Sequence, residues 1–154
     1  MKTITQTLFA LAILVIAVTA CKKKDTDQAL VDKGIIQKYI KDNALNADST
    51  ADGLYYVIAD SGIGPNPTVY SIVNVYYKGY LTNNTIFEQT TPGLPREFAL
   101  QGTIKGWQEG VPFIKKGGKI KLLIPSALGY GATATGSIPA NSVLIYDIEL
   151  SNFR

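Results

Sequence analysis

The side chains that usually make and break covalent bonds in enzymes are nearly absent from this chain. It has no histidine and a single cysteine, Cys21, among 154 residues. Those two facts exclude a Ser-His-Asp or Cys-His catalytic unit, a zinc site built from histidine or cysteine, and any internal disulfide. A site made of carboxylates alone stays open, but the 12 Asp and Glu residues show no metal-loop spacing. The formal charge of +3 is small and spread along the chain, which argues against a nucleic-acid footprint. The expected chemistry therefore needs no cofactor, no metal and no activated nucleophile.

Cys21 has a context of its own. Lys2 precedes an apolar run from Leu8 to Val18, too short to span a bilayer comfortably, and small residues follow it. Residues 1–20 read as a signal peptide. The sequence Val18-Thr19-Ala20-Cys21 resembles the lipobox of bacterial lipoproteins. That resemblance implies lipid on Cys21, cleavage before it, and a place in the cell envelope on the periplasmic or surface face of a bacterial membrane. An ordinary secreted signal with an incidental cysteine, or an uncleaved anchor helix, are the other readings. Lys22-Lys23-Lys24 follow as a solvated leader or a contact for anionic lipid.

The segment 21–52 reads as a leader carrying one short amphipathic helix and then a linker. Val31, Ile35, Ile36, Tyr39 and Ile40 fall at helical spacing, with Asp27 a candidate N-cap. Gly34 costs such a helix about 1 kcal/mol, and a helix this short is marginal alone. It needs a surface for its apolar stripe: the domain that follows is the first choice, a dimer contact the second. The polar stretch from Asn46 to Asp52 reads as a hinge.

From Gly53 onward the punctuation is that of a sheet. The pattern predicts strands at Leu54–Ile58, Val69–Leu81, Thr85–Glu88, Glu97–Leu100, Lys119–Ile124 and from Leu144 to the end, with a hairpin closed at Asn83-Asn84. Val73, Val75 and Tyr77 alternate against Ile72, Asn74 and Tyr76, which asks for two differently covered faces. Ile104, Trp107 and Val111 stand at i, i+3 and i+7 and predict one short helix ended by Pro112. Strands without βαβ alternation, plus one embedded helix, give an α+β domain on an antiparallel sheet over residues 53–154.

Within that domain three ordered segments carry a resemblance. They are Val73-Asn74-Val75-Tyr76-Tyr77-Lys78-Gly79-Tyr80-Leu81 with Phe87-Glu88; Phe98-Ala99-Leu100-Gln101-Gly102-Thr103-Ile104-Lys105-Gly106-Trp107-Gln108-Glu109-Gly110-Val111; and Gly117 to Ile124, Pro125, then Gly129-Tyr130-Gly131, Ile138-Pro139 and Leu144-Ile145-Tyr146-Asp147-Ile148-Glu149-Leu150. Together they resemble the FKBP-type peptidyl-prolyl cis-trans isomerases over about residues 53–152. The resemblance implies a half-open antiparallel β-sheet wrapped around one short α-helix, with a pocket between them. It implies an isomerase of Xaa-Pro bonds in envelope or exported proteins, with proline-containing polypeptides as partners and the family's macrolides as further ligands. A non-catalytic FKBP-like module that binds peptides or acts as a chaperone is the alternative.

Carried over residue by residue, the resemblance implies a pocket walled by Tyr77, Phe87, Trp107, Tyr130, Ile138 and Tyr146, with Trp107 as its floor. Thr103 and Ile104 open the helix, and the backbone N–H of Ile104 and the hydroxyl of Tyr130 match groups that hold substrate carbonyls. The chain departs from the family's pattern in three places. Glu88 stands where Asp is usual, Arg96 where the rim is often aromatic or apolar, and Tyr146 where Phe is common. The loop from Ala132 to Ser137 is small and polar and offers little apolar contact to residues flanking proline.

Overall fold

The computed structural model describes residues 27–154. The segment expected to be a signal peptide, Cys21 and the three lysines after it lie outside the described residues.

A leader helix, α1, covers residues 27–42. The strands β1 (Asp48–Ser49), β2 (Tyr55–Asp60), β3 (Ile72–Leu81), β4 (Ile86–Gln89) and β5 (Arg96–Ala99) come next. A short helix α2 (Lys105–Gly110) precedes β6 (Lys119–Ile124) and β7 (Leu144–Phe153). All seven strands form one sheet in the order β1-β2-β6-β7-β3-β4, with β5 on the same edge of β3 as β4. Every pairing is antiparallel.

Alternation along the long strands gives the sheet two apolar faces. On the inner face, Val73, Val75, Leu122, Ile124, Leu144 and Leu150 are completely buried with Leu100 and Val111, and Trp107 of α2 joins them. On the outer face, Leu123 and Val143 pack against Ile36 of α1, with Tyr39, Ile40, Leu45 and Tyr55 around them. The sheet is therefore sandwiched between two helices, one on each side.

Helix α2 is short for reasons visible in its sequence. Pro112 has no N–H to continue the ladder, and the chain tightens there into a 3₁₀ turn over Val111–Phe113. Its two glycines are contact residues rather than flexible ones. A Cβ at Gly106 would stand 2.6 Å from Ile124 Cγ2, and one at Gly110 2.5 Å from Leu122 Cδ2. Glycine here lets the helix axis lie directly on β6.

The leader helix docks on the domain, as its stripe requires, but not with the whole stripe. Ile36 is fully buried, whereas Val31 is 54% and Ile35 37% exposed. The buried line runs through Asp32, Ile36, Tyr39 and Ile40, so a carboxylate occupies a position that the apolar pattern leaves out. Asp27 is itself helical and does not cap the helix. The polar hinge is also more than a tether. Asp48 and Ser49 pair with Tyr56 and Tyr55, and Thr50 and Gly53 close the connecting turn. Its side chains are polar, yet its backbone completes the edge of β2.

Ile36 thus ties α1 to the sheet by packing alone. Ile36→Ala should cost about 2–5 kcal/mol of unfolding free energy in chemical denaturation. Val31→Ala, at an exposed position of the same helix, should change it by about 0.5 kcal/mol or less.

Candidate functional site

Between α2 and the inner face of the sheet lies a cavity of about 300 Å³, lined by Tyr77, Glu88, Phe98, Thr103, Ile104, Trp107, Tyr130 and Tyr146, with Gly102. Three different local structures deliver these groups. Tyr77 and Tyr146 are inward residues of β3 and β7; Gly79 faces Tyr146 directly across the two strands. Gly79 is required there, since a Cβ would come within 2.5 Å of the Phe87 ring and 2.7 Å of Tyr146. Trp107 comes from the first turn of α2 and Tyr130 from the loop that follows β6.

The indole of Trp107 forms the base of this cavity and is held edge-on from three sides. Tyr77 lies at 5.2 Å and 83°, Phe98 at 5.5 Å and 76°, and Tyr146 at 5.2 Å and 84°. Phe87 in turn stands against Tyr146 at 5.5 Å and 79°. Such edge-to-face pairs fix ring orientation as well as burying area. The indole N–H is buried and finds no acceptor among the described residues.

The rim is polar and self-neutralising. The Arg96 guanidinium donates to Glu88 at 2.6 Å and to the Tyr77 hydroxyl at 3.2 Å, while lying 5.0 Å over the Phe98 ring. Both members of the ion pair are well exposed, so it contributes little to stability and serves mainly to orient. Burial, with the Glu88 carboxylate beside it, pushes the Tyr77 hydroxyl up to about 12. Burial raises Tyr146 further, and Tyr130 next to it acts in the same direction. Tyr77 and Tyr146 therefore stay protonated far above neutrality.

The start of α2 has its own arrangement. Ile104 is the N-cap in extended conformation, φ −64° and ψ 151°, with no side-chain cap. Its carbonyl accepts from Trp107 and Gln108, and its N–H lies ahead of the helix's own ladder. The Gln108 amide donates to the Thr103 carbonyl at 2.7 Å, and the Thr103 hydroxyl donates to the Leu100 carbonyl at 2.7 Å. These bonds hold the Thr103-Ile104 corner in place.

Most of the residues expected in the pocket meet there. Tyr77, Glu88, Thr103, Ile104, Trp107, Tyr130 and Tyr146 all line the cavity. Phe87 stands behind Tyr146, Ile138 is buried in the core cluster, and Arg96 sits on the rim; none of the three forms its wall. Cys21 lies outside the described residues. Phe98 lines the cavity but was not among the expected wall residues. It sits two residues after Arg96 on β5, hence on the same face, and that spacing could have identified it. A larger groove of about 500 Å³ opens on the outer face beside Tyr76, Lys78, Lys119, Lys121, Asp147 and Glu149. Two of its lysines are already paired, Lys119 with Glu149 and Lys121 with Asp147. The edge-on rings that surround Trp107 are on the other side of the sheet.

Comparison with known proteins bears on this geometry. Residues 64–151 match the family described as FKBP-type peptidyl-prolyl cis-trans isomerase. The chain is 40% identical over 135 residues to the FKBP-type peptidyl-prolyl cis-trans isomerase FkpA of Buchnera aphidicola subsp. Schizaphis graminum, covering 86% of this chain and 53% of that protein. The FkpA of Escherichia coli K12 is 40% identical over 134 residues, at 86% and 49% coverage. The chain thus spans about half the length of these curated relatives. The crystal structure of FkpA from Escherichia coli superposes with a TM-score of 0.74 at 38% identity, covering 98% of this chain and 71% of that one. A peptidyl-prolyl cis-trans isomerase of Pseudomonas syringae gives 0.72 at 29% identity, with 82% and 93% covered.

The buried phenols also set a stability limit in alkali. Tyr39, Tyr77 and Tyr80 are each raised to about 12, burial being the first cause in every case. A proton held more tightly by the folded state stabilises it fully below the unfolded value, near 10, and that contribution is lost as pH rises through about 12. Phenolate absorbance at about pH 11 should therefore be clearly lower in the folded protein than after unfolding in urea at the same pH. Equal absorbance would mean that these hydroxyls titrate freely.

Proposed function

The chain belongs to the FKBP-type peptidyl-prolyl cis-trans isomerase family, and from that membership we propose that it catalyses cis-trans isomerisation of Xaa-Pro bonds. The observation that carries this reading is the indole of Trp107, held by three aromatic edges in a cavity that Tyr130 and Ile104 also line.

The reaction explains why so little titratable chemistry is needed. Rotation about an amide costs about 18–20 kcal/mol because conjugation is lost in the twisted state. No bond to a heavy atom breaks, so the protein has only to bind the twisted amide better than either planar form. A prolyl ring seated on Trp107, between Tyr77, Phe98 and Tyr146, would leave water behind. Water stabilises the polar planar amide more than the twisted one, so its exclusion favours rotation. The Tyr130 hydroxyl and the Ile104 N–H would supply fixed donors to the carbonyls on either side of the ring. Glu88 and Arg96, neutralised by each other at the rim, would meet the residues that flank proline and set preference rather than rate. Peptides of exported or envelope proteins are the proposed substrates, and a macrolide of the kind that binds this family is the expected competitor for the cavity.

An isomerisation assay on a short Xaa-Pro peptide tests the reading directly. Wild-type protein should accelerate exchange. Tyr130→Phe should lower kcat/KM while shifting unfolding stability by no more than about 1 kcal/mol, because it removes a hydroxyl and keeps the ring. Full activity in that variant would take Tyr130 out of the mechanism. Peptide binding without acceleration would leave a recognition module, the reading for which the charged Arg96–Glu88 rim is the favouring feature.

We further propose that the mature protein begins at Cys21 and is tethered to a bacterial envelope membrane by lipid on that residue. The lone thiol directly after a small-residue cleavage region supports it. Intact mass of protein from a competent bacterial host should show a Cys21 start plus acyl chains. A bare Cys21 or a Met1 start would overturn the tether, and Cys21→Ser should release folded protein into the soluble fraction.

A further inference from the structure

The leader helix reaches the pocket through one buried carboxylate. Asp32 is only 1% exposed, on the face of α1 that meets the sheet. One of its oxygens accepts both from the Ser126 backbone N–H at 2.8 Å and from the Ser126 hydroxyl at 2.6 Å. The other accepts from the Gln28 amide at 2.7 Å. A carboxylate so deeply placed is costly unless its oxygens are met, and these three donors meet them.

Ser126, itself 2% exposed, opens the 3₁₀ turn Ser126–Leu128 that leads to Tyr130. Its carbonyl accepts from Gly129 N–H at 2.9 Å and from Gly131 N–H at 2.8 Å, the two residues that bracket Tyr130. Every polar group of Ser126 is thus engaged. Two are fixed by Asp32 and the third fixes the flanks of Tyr130. Glycines make the turn around Tyr130: Gly129 sits at φ −108° and ψ −118°, and Gly131 at φ +59°, a conformation open to glycine. The Ser126 carbonyl is the acceptor that ties both of them.

We propose that Asp32 is a positioning residue for Tyr130: the leader helix, through Ser126, sets where the Tyr130 hydroxyl stands over the cavity. This rests on the isomerase reading for its kinetic consequences, although the coupling itself concerns only the geometry of the pocket. Asp32 lies outside the matched family region of residues 64–151, so the proposal makes the leader part of the catalytic unit and not merely its tether.

The test separates positioning from bulk stability. Asp32→Ala, assayed well below its unfolding midpoint, should lose about ten-fold in kcat/KM, chiefly through kcat, since sub-ångström placement of a catalytic group is worth that much. Asp32→Asn should restore most of it. Its oxygen can accept both Ser126 donors, and Gln28 can turn its amide to accept from the new N–H₂. Lys38→Ala, exposed on the same helix, should leave kcat/KM unchanged. In a Tyr130→Phe background, Asp32→Ala should cost about two-fold or less, because the group it positions is already gone. An Asp32→Ala protein that is less stable but fully active when folded would overturn the proposal. So would equal kinetic losses with and without the Tyr130 hydroxyl. If Asp32→Ala does not fold, Ser126→Ala, which keeps the backbone bond and loses the hydroxyl bond, should show a smaller loss with the same non-additivity. Trp107 is the only tryptophan in the chain, so its emission reads the cavity without any assay of turnover. Emission should shift in Asp32→Ala and return in Asp32→Asn. With an inactive wild type, that emission pattern would still decide the Asp32 proposal while the isomerase reading alone failed.

Discussion

The depth at which α2 lies on β6 is the constraint on which the rest of the pocket depends. Gly106 and Gly110 face Ile124 and Leu122 at distances that leave no room for a methyl group. A helix held off by even one Cβ would carry Trp107, the residue between them, away from Tyr77 and Tyr146. The three edge-on contacts that orient the indole are all near 5.2–5.5 Å, a range in which a displacement of one ångström forfeits much of the contact. Gly79 plays the matching part on the sheet, clearing space for the rings of Phe87 and Tyr146. The aromatic box is thus built by what is absent at three positions as much as by what is present at five.

Seen from the sheet, the two helices are mechanically linked. Strand alternation puts Leu123 on the outer face under Ile36 and its neighbour Ile124 on the inner face under Gly106. The same happens one strand over, where Tyr146 enters the cavity and Asp147 turns outward to join Lys121 and the Tyr80 hydroxyl. Tyr39 of α1 lies close to that Tyr80 hydroxyl. A sheet covered on one side only would let these strands twist more freely. Here the outer helix clamps the same residues that carry the inner site, and a polar bond from Asp32 is superimposed on the apolar contact of Ile36.

Much of this was legible from residue types and spacing, and what was missed has physical causes. Period-two alternation located β3, β6 and β7, because one apolar face alone fixes strand register. The ordered run Thr103-Ile104-Lys105-Gly106-Trp107 and the later Gly129-Tyr130-Gly131 placed the cavity residues before any coordinates, through their resemblance to a family. Phe98 lies in the second motif segment but was not carried over as a wall residue; its two-residue spacing from Arg96 on β5 is the signal that puts it on the pocket face. Strand β1 escaped because its side chains are polar, and it contributes only backbone hydrogen bonds to the edge of β2. Val31 and Ile35 misled for the opposite reason: they are apolar but exposed. The buried line of α1 passes instead through Asp32, and an apolar-periodicity reading is blind to a carboxylate whose partner lies 94 residues away.

The division of polar groups between rim and base accounts for how a pocket without histidine can still be specific. Deeper in, the indole N–H is wrapped in rings, and burial pushes the Tyr146 hydroxyl away from ionisation. Charges there would have to be desolvated with every ligand that entered, at a cost no single ion pair repays. At the rim, Arg96 and Glu88 stay in water and satisfy each other, so a ligand can approach without stranding either charge. Arg96 also binds the Tyr77 hydroxyl, which ties the charged rim to the ring wall below it. The charged rim and the ring wall thus meet at one side chain, Tyr77, whose hydroxyl is bound by Arg96 and whose ring packs edge-on against Trp107.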